Sequence, residues 1–192
     1  MPYRLAVVAT AKTLPGDWIR AGLSALTEGG PDAVRVEQLA ARLGVTKGGF
    51  YWHFRGRQDF LSAMLDAWEH TVVEAVISEV EQDGGTPRER LQQLFGLARV
   101  SFTTAEGLGA ELAIREWSRR DPTVAARVRR IDERRMSYLR ELFGELCGDE
   151  EEAEARCLQV YSLFVAGHLI TTGHGDLTRE QVLARSLGRL VE

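Results

Sequence analysis

From Pro15 onward the apolar residues follow the 3.6-residue period of a helix, with start and stop signals where helices should begin and end, so the chain reads as about nine helices and no strand. Helix 1 runs from about Pro15 to Glu28 with Ile19, Leu23 and Leu26 on its buried stripe, and Gly29-Gly30-Pro31 ends it. Two short helices follow. Leu39, Ala40 and Leu43 stripe the first; Gly44 can take the left-handed backbone of a tight exit; Thr46 can cap the second, which Phe50 and Phe54 hold on the core. Helix 4 keeps one stripe from Arg57 to about Asp83 through Phe60, Met64, Leu65, Trp68, Val72, Val76 and Val80.

Thr86-Pro87-Arg88-Glu89 is a capping box with proline at the first helical position, and opens helix 5 with Leu91, Leu94, Phe95, Ala98 and Phe102. Gly107 and Gly109 are expected to interrupt it, leaving helix 6 from Gly109 to Arg119. Asp121-Pro122 starts helix 7, which Gly148 ends after Leu146. Asp149 and the acidic residues behind it suit the positive end of helix 8, expected to reach Thr172. Thr178-x-x-Gln181 starts helix 9 with Leu183, Leu187 and Leu190 in line.

The pair of short helices around Gly44 is a helix-turn-helix pattern. At 100° per residue, the face opposite Phe50 carries Gly48 and Trp52 flanked by Tyr51 and His53, a mixture of small, aromatic and hydrogen-bonding groups suited to a major groove. The run Ala40 to Phe54, with its Gly-Val-Thr-Lys-Gly-x-Phe-Tyr-x-His-Phe core and the basic Arg57 after it, resembles the DNA-binding domain of the tetracycline-repressor (TetR) family of bacterial transcriptional regulators, over roughly Ile19 to Leu65.

That resemblance implies an all-α protein: a flexible arm at 1–13, a three-helix DNA-binding domain at 14–60, and a ligand-binding and dimerisation domain at 61–192 joined through helix 4. By position it implies DNA contacts from Thr46, Lys47, Gly48, Tyr51, Trp52 and His53. Lys47 suits a guanine edge or a phosphate, Tyr51 and His53 suit phosphate oxygens, and Trp52 suits a thymine methyl. Arg57 stands where the family usually has lysine and would support a backbone contact. Arg35 replaces the usual hydroxyl at the start of helix 2, so it keeps a charge for phosphate but cannot accept a capping bond.

Charge sharpens the division. Residues 1–60 hold 8 Lys+Arg against 5 Asp+Glu, and the remainder 16 against 23, so a basic head precedes an acidic body. Cys147 and Cys157 are too few and too far apart for a disulfide framework or a metal pair, and no run of 18 apolar residues crosses a membrane, so the expected location is the cytoplasm. The four histidines make no metal spacing, and no phosphate loop or nucleophile motif appears; neither an enzyme nor a cofactor is expected.

In the larger domain Trp68, Phe95, Phe102, Trp117, Tyr138, Tyr161 and Phe164 can line an apolar pocket, with Arg115, Tyr138 and His168 as orienting polar groups. Leu158, Val165, Leu169, Leu183, Leu187 and Leu190 are the candidate homodimer interface on helices 8 and 9. The family resemblance then implies a repressor that binds a palindromic operator and is released by a small-molecule effector. A helical protein-interaction module that keeps the motif without DNA binding, an activator, and a ligand-independent regulator stand as alternatives.

Overall fold

The structure, a computed structural model, describes residues 13–103, 105–166 and 169–192, and within them the side chains other than those of 100–103, 105–106 and 166. The N-terminal arm expected at 1–13 therefore lies outside the described residues except for Thr13. Nine helices and no strand occur among the described residues. The chain divides into two compact units, the first ending at Ala67 and the second spanning Trp68–Glu192. Phe60, Leu61, Met64 and Leu65 are buried and fall within the first unit.

In that unit α1 (Pro15–Gly29) leads through a single 3-10 turn, Pro31–Ala33, into α2 (Val36–Leu43) and α3 (Lys47–Tyr51), and α4 begins at Arg57. Trp18, Gly22, Ala25 and Leu26 form the buried face of α1, while Ile19 and Leu23, expected on that stripe, are half-buried. The helix is rolled toward its largest apolar side chain. Trp18 meets Phe50 edge-on at 5.4 Å between centroids, and Phe50, Phe54 and Phe60 lie 4.8–5.2 Å from one another. Gly22 is what lets α4 approach: a Cβ there would lie 2.7 Å from both Met64 Sδ and the Phe60 ring.

α4 starts as Arg57–Glu69, passes through one π-helical turn at His70–Glu74 and resumes as Ala75–Asp83. The second unit continues with α5 (Pro87–Thr103), α6 (Ala105–Ser118), α7 (Pro122–Cys147), α8 (Glu150–Ala166) and α9 (Arg179–Leu190). The start signals at Thr86, Asp121 and Thr178 form caps. Thr86 N–H donates to Glu89 Oε2 at 2.8 Å, Asp121 accepts from the N–H of Thr123 at 2.9 Å, and Thr178 Oγ1 accepts from Gln181 N–H at 3.1 Å. Two expected boundaries move: Gly107 and Gly109 lie inside α6 rather than ending its predecessor, and α8, described as far as Ala166, does not reach Thr172, since Ile170 to Thr172 are not helical. Val80, Leu91, Phe95, Leu139, Leu142, Phe143, Cys157 and Leu187 form the centre of this unit.

Candidate nucleic-acid interface and internal cavity

The turn between α2 and α3 follows from Gly44, whose φ of 66° is left-handed and whose N–H closes onto Ala41 C=O. Thr46 takes the N-cap position of α3 with an extended backbone, yet its hydroxyl makes no capping bond, contrary to the role expected of it. α3 then points in two directions. Phe50 is fully buried, whereas Tyr51 is 60% and Trp52 88% exposed. An indole that open to water has little to pack on among the described residues, so the face from Thr46 to Trp52 presents apolar area, a hydroxyl pair and a lysine outward. Beside it, a Cβ at Gly48 would meet, among the described residues, only Thr46 Oγ1, at 3.6 Å, an ordinary contact that does not demand glycine there.

The other expected contacts divide. Lys47 is exposed and its ammonium lies 2.5 Å from Glu37 on α2, a solvent-exposed ion pair that a phosphate can replace. Arg35 is exposed, with Nε donating to Asp32 C=O at 3.0 Å. His53 is partly buried, and its Nε2 lies 3.0 Å from Thr13 C=O, so one ring nitrogen is occupied in holding the chain ahead of α1. Arg57 is tied to the fold: Nε donates to Val34 C=O at 3.0 Å and a terminal N–H donates to Pro31 C=O. Its guanidinium pins the Pro31–Ala33 turn and keeps further N–H groups beyond these two bonds.

The second unit holds an apolar cavity of about 80 Å³. Val72, Val73, Val76 and Ile77 supply one wall, the first two from the π turn; Leu94, Ala98, Leu139, Val160, Phe164 and Val165 supply most of the rest. Of the pocket residues expected from sequence, Tyr138, Tyr161 and Phe164 line it. Phe95 is buried and stacks toward Phe164 at 6.2 Å; Trp68 is buried outside the wall; Trp117 is half-buried and also outside it. The Phe102 side chain and His168 lie outside the described residues.

The polar end of the cavity is a group that the sequence did not reveal. Glu111, only 1% exposed, and Arg135 both line it, and the two are joined through NH1–Oε1 at 3.2 Å and NH2–Oε2 at 3.1 Å. Behind them Arg115, expected in the wall itself, donates from Nε to Glu111 at 2.7 Å, to both oxygens of Asp132 at 2.7 and 3.2 Å, and to the Tyr161 hydroxyl at 2.9 Å. Tyr161 in turn donates to Asp132. Burial works against the charge of Arg115, but its bonds to Asp132 and the neighbouring Glu111 carboxylate hold its pKa far above the ordinary arginine value. Burial also raises the Tyr161 hydroxyl, and the Asp132 bond adds to this. At the other end burial, then the hydrogen bond to Glu81, pushes Tyr138 up.

The proposed dimer residues are unevenly placed. Leu158 and Leu169 are more than 60% exposed, Leu183 and Leu190 pack partly against the unit's own core, and Leu187 is 1% exposed within it. Leu187 is thus spent inside the protomer, and Val165 faces the cavity. The helical stripe of α9 could not distinguish a neighbour in the same chain from one in a second copy.

The geometry of the first unit agrees with comparison to known proteins. The family described as bacterial regulatory proteins, tetR family, matches residues 19–64. The class A tetracycline repressor protein of transposon 1721 from Escherichia coli is 43% identical over 56 residues, covering 29% of this chain and 26% of that repressor. The chain thus spans about a quarter of that curated relative. A TetR transcriptional regulator from Legionella pneumophila superposes with a TM-score of 0.76 at 14% identity, covering 94% of this chain and 98% of the other. The regulator AibR, in a complex with isovaleryl coenzyme A and operator DNA, superposes with a TM-score of 0.68 at 18% identity over 92% and 97%. The likeness to the TetR family of bacterial regulators at the level of sequence is thus carried by residues 19–64, the helix-turn-helix domain. No described helix is long and apolar enough to cross a membrane.

Proposed function

We propose that this chain is a DNA-binding repressor that grips a palindromic operator as a homodimer and lets go when a small molecule enters the cavity of the second unit. The observation that carries the reading is the outward face of α3, where Trp52 is 88% exposed next to Tyr51, Lys47 and an uncrowded Gly48. A bare indole and phenol on a helix-turn-helix gain their burial from a groove. AibR, with the same fold, is complexed with both an acyl coenzyme A and operator DNA, which supports an effector site beside the DNA-binding function.

The release step has a structural route. Glu69, the last residue before the π turn, is held by Arg130 of α7 at 2.6–2.7 Å and lies 3.5 Å from Arg127, and the turn itself supplies Val72 and Val73 to the cavity. π turns commonly sit at functional positions in helices. Occupancy of the cavity displaces this turn, and α4 carries the displacement toward its start at Arg57. Leu158 and Leu169 provide exposed apolar area for the second copy, and the two-fold requires one reading head per half-site.

The test is selection of duplex fragments from a random pool, followed by mobility-shift titration and sedimentation. Lys47→Ala and Tyr51→Ala should each weaken binding by about 1–3 kcal/mol with helicity intact, and Leu158→Glu should weaken both dimerisation and DNA binding. Failure to enrich any sequence, or unchanged affinity in both α3 variants, contradicts the reading.

A further inference from the structure

Resting on the effector reading of the cavity, we infer that its ligand is a small uncharged molecule with a short aliphatic part and one hydrogen-bond-accepting group, such as a carbonyl, turned toward Arg135. Three features define this class. The walls are almost wholly aliphatic or aromatic, so most of the ligand must be apolar. The volume of about 80 Å³ is roughly half that of the ~150 Å³ hole that admits benzene, so the ligand is short.

The third feature is the charge at the polar end. Arg115 and Arg135 face Glu111 and Asp132, two cations against two anions, and Tyr161 closes the set by donating to Asp132. The balance is complete before any ligand enters. A carboxylate seeking Arg135 must either add an uncompensated negative charge or take the guanidinium from Glu111, whose 1% exposure gives it no water in exchange. An ammonium meets the mirror-image obstacle, since both Glu111 oxygens already accept from arginines. A neutral acceptor disturbs neither. The two bonds to Glu111 leave further N–H groups on the Arg135 guanidinium, and these can turn to a carbonyl oxygen without breaking the ion pair. The Tyr138 hydroxyl, at the opposite end, is engaged with Glu81.

Calorimetric titration of the full chain with butanamide, butanoate and butylamine, matched in length, tests the inference at neutral pH. Butanamide should bind about tenfold more tightly than either ion. In Glu111→Gln, which keeps the side-chain shape but leaves the group one positive charge in excess, butanoate should gain affinity and butanamide should not. Tighter binding of the acid or the amine by the unaltered protein overturns the neutral-ligand inference and leaves the effector site standing. A Glu111→Gln variant with an unchanged order of preference shows that the charge balance does not select. No binding by any of the three compounds overturns both this inference and the effector reading.

Discussion

Both units have apolar centres, but they place their polar groups differently: the first turns them outward and the second sets them at the end of a cavity. The head packs four aromatic rings, Trp18, Phe50, Phe54 and Phe60, against Gly22 and directs its polar and aromatic working groups outward. The second unit buries one charge, Glu111, and joins it to the half-buried Arg115, Arg135 and Asp132 beside an aliphatic cavity. An apolar core specifies shape without regard to what approaches it. A charge set built around a buried carboxylate can discriminate among ligands, because a change in its balance is felt at Glu111, where water screens poorly.

The comparison can be broken most forcefully at the two centres. Phe50→Ala should destabilise the head by about 3–5 kcal/mol through lost burial and the cavity left behind. Arg135→Met should cost up to about 3–5 kcal/mol by depriving Glu111 of a partner, but the double variant Arg135→Met with Glu111→Leu should regain most of it, since a removed pair leaves no stranded charge. Denaturant unfolding of the three proteins decides this. If the double variant is no more stable than Arg135→Met alone, the ion pair is not what holds that end of the cavity.

A smaller effect is expected at Gly22. Its missing Cβ is the reason Phe60 and Met64 can sit where they do, so Gly22→Ala should destabilise by about 1–3 kcal/mol through overpacking despite alanine's better helix propensity. A variant as stable as the parent would mean that α1 and α4 can separate at no cost.

The smallest effect concerns pH at the edge of the second unit. The hydrogen bond from Tyr138, with Arg90 beside it, holds Glu81 below the usual carboxylate range, and burial with the same bond raises Tyr138. The Glu81 contribution is therefore complete above the ordinary carboxylate range and is lost as pH falls through its lowered value. The Tyr138 contribution is complete below the ordinary tyrosine value of about 10 and is lost as pH rises above it. Tyr138→Phe should flatten both flanks of the profile of melting temperature against pH, and an unaltered profile would show that the bond is not formed in solution.

The helices and the outward face of α3 were legible in the sequence because both rest on local relations: the i, i+4 spacing of Phe50 and Phe54, the capping box of Thr86 and Glu89, and the left-handed Gly44. The charged wall was not legible, because Glu111 and Arg135 are 24 positions apart and each looks like an ordinary residue of a solvated helix face until α6 packs on α7. The carbonyl bonds of Arg57 were not legible either, because only the fold shows Pro31 and Val34 within its reach. Leu187 shows the same limit on α9, where an apolar stripe says that burial occurs but not against which chain.

The central claim is that the outward face of α3 exists for DNA and not for the fold, and Gly48 isolates the two. Its surroundings leave room for a Cβ, and alanine is favoured over glycine in a helix by about 1 kcal/mol, so Gly48→Ala should melt no lower than the parent. Equilibrium titration of a selected duplex with the parent and with Gly48→Ala is the direct measurement. A loss of affinity in a protein at least as stable is the predicted result; equal or tighter binding by the variant would contradict the account.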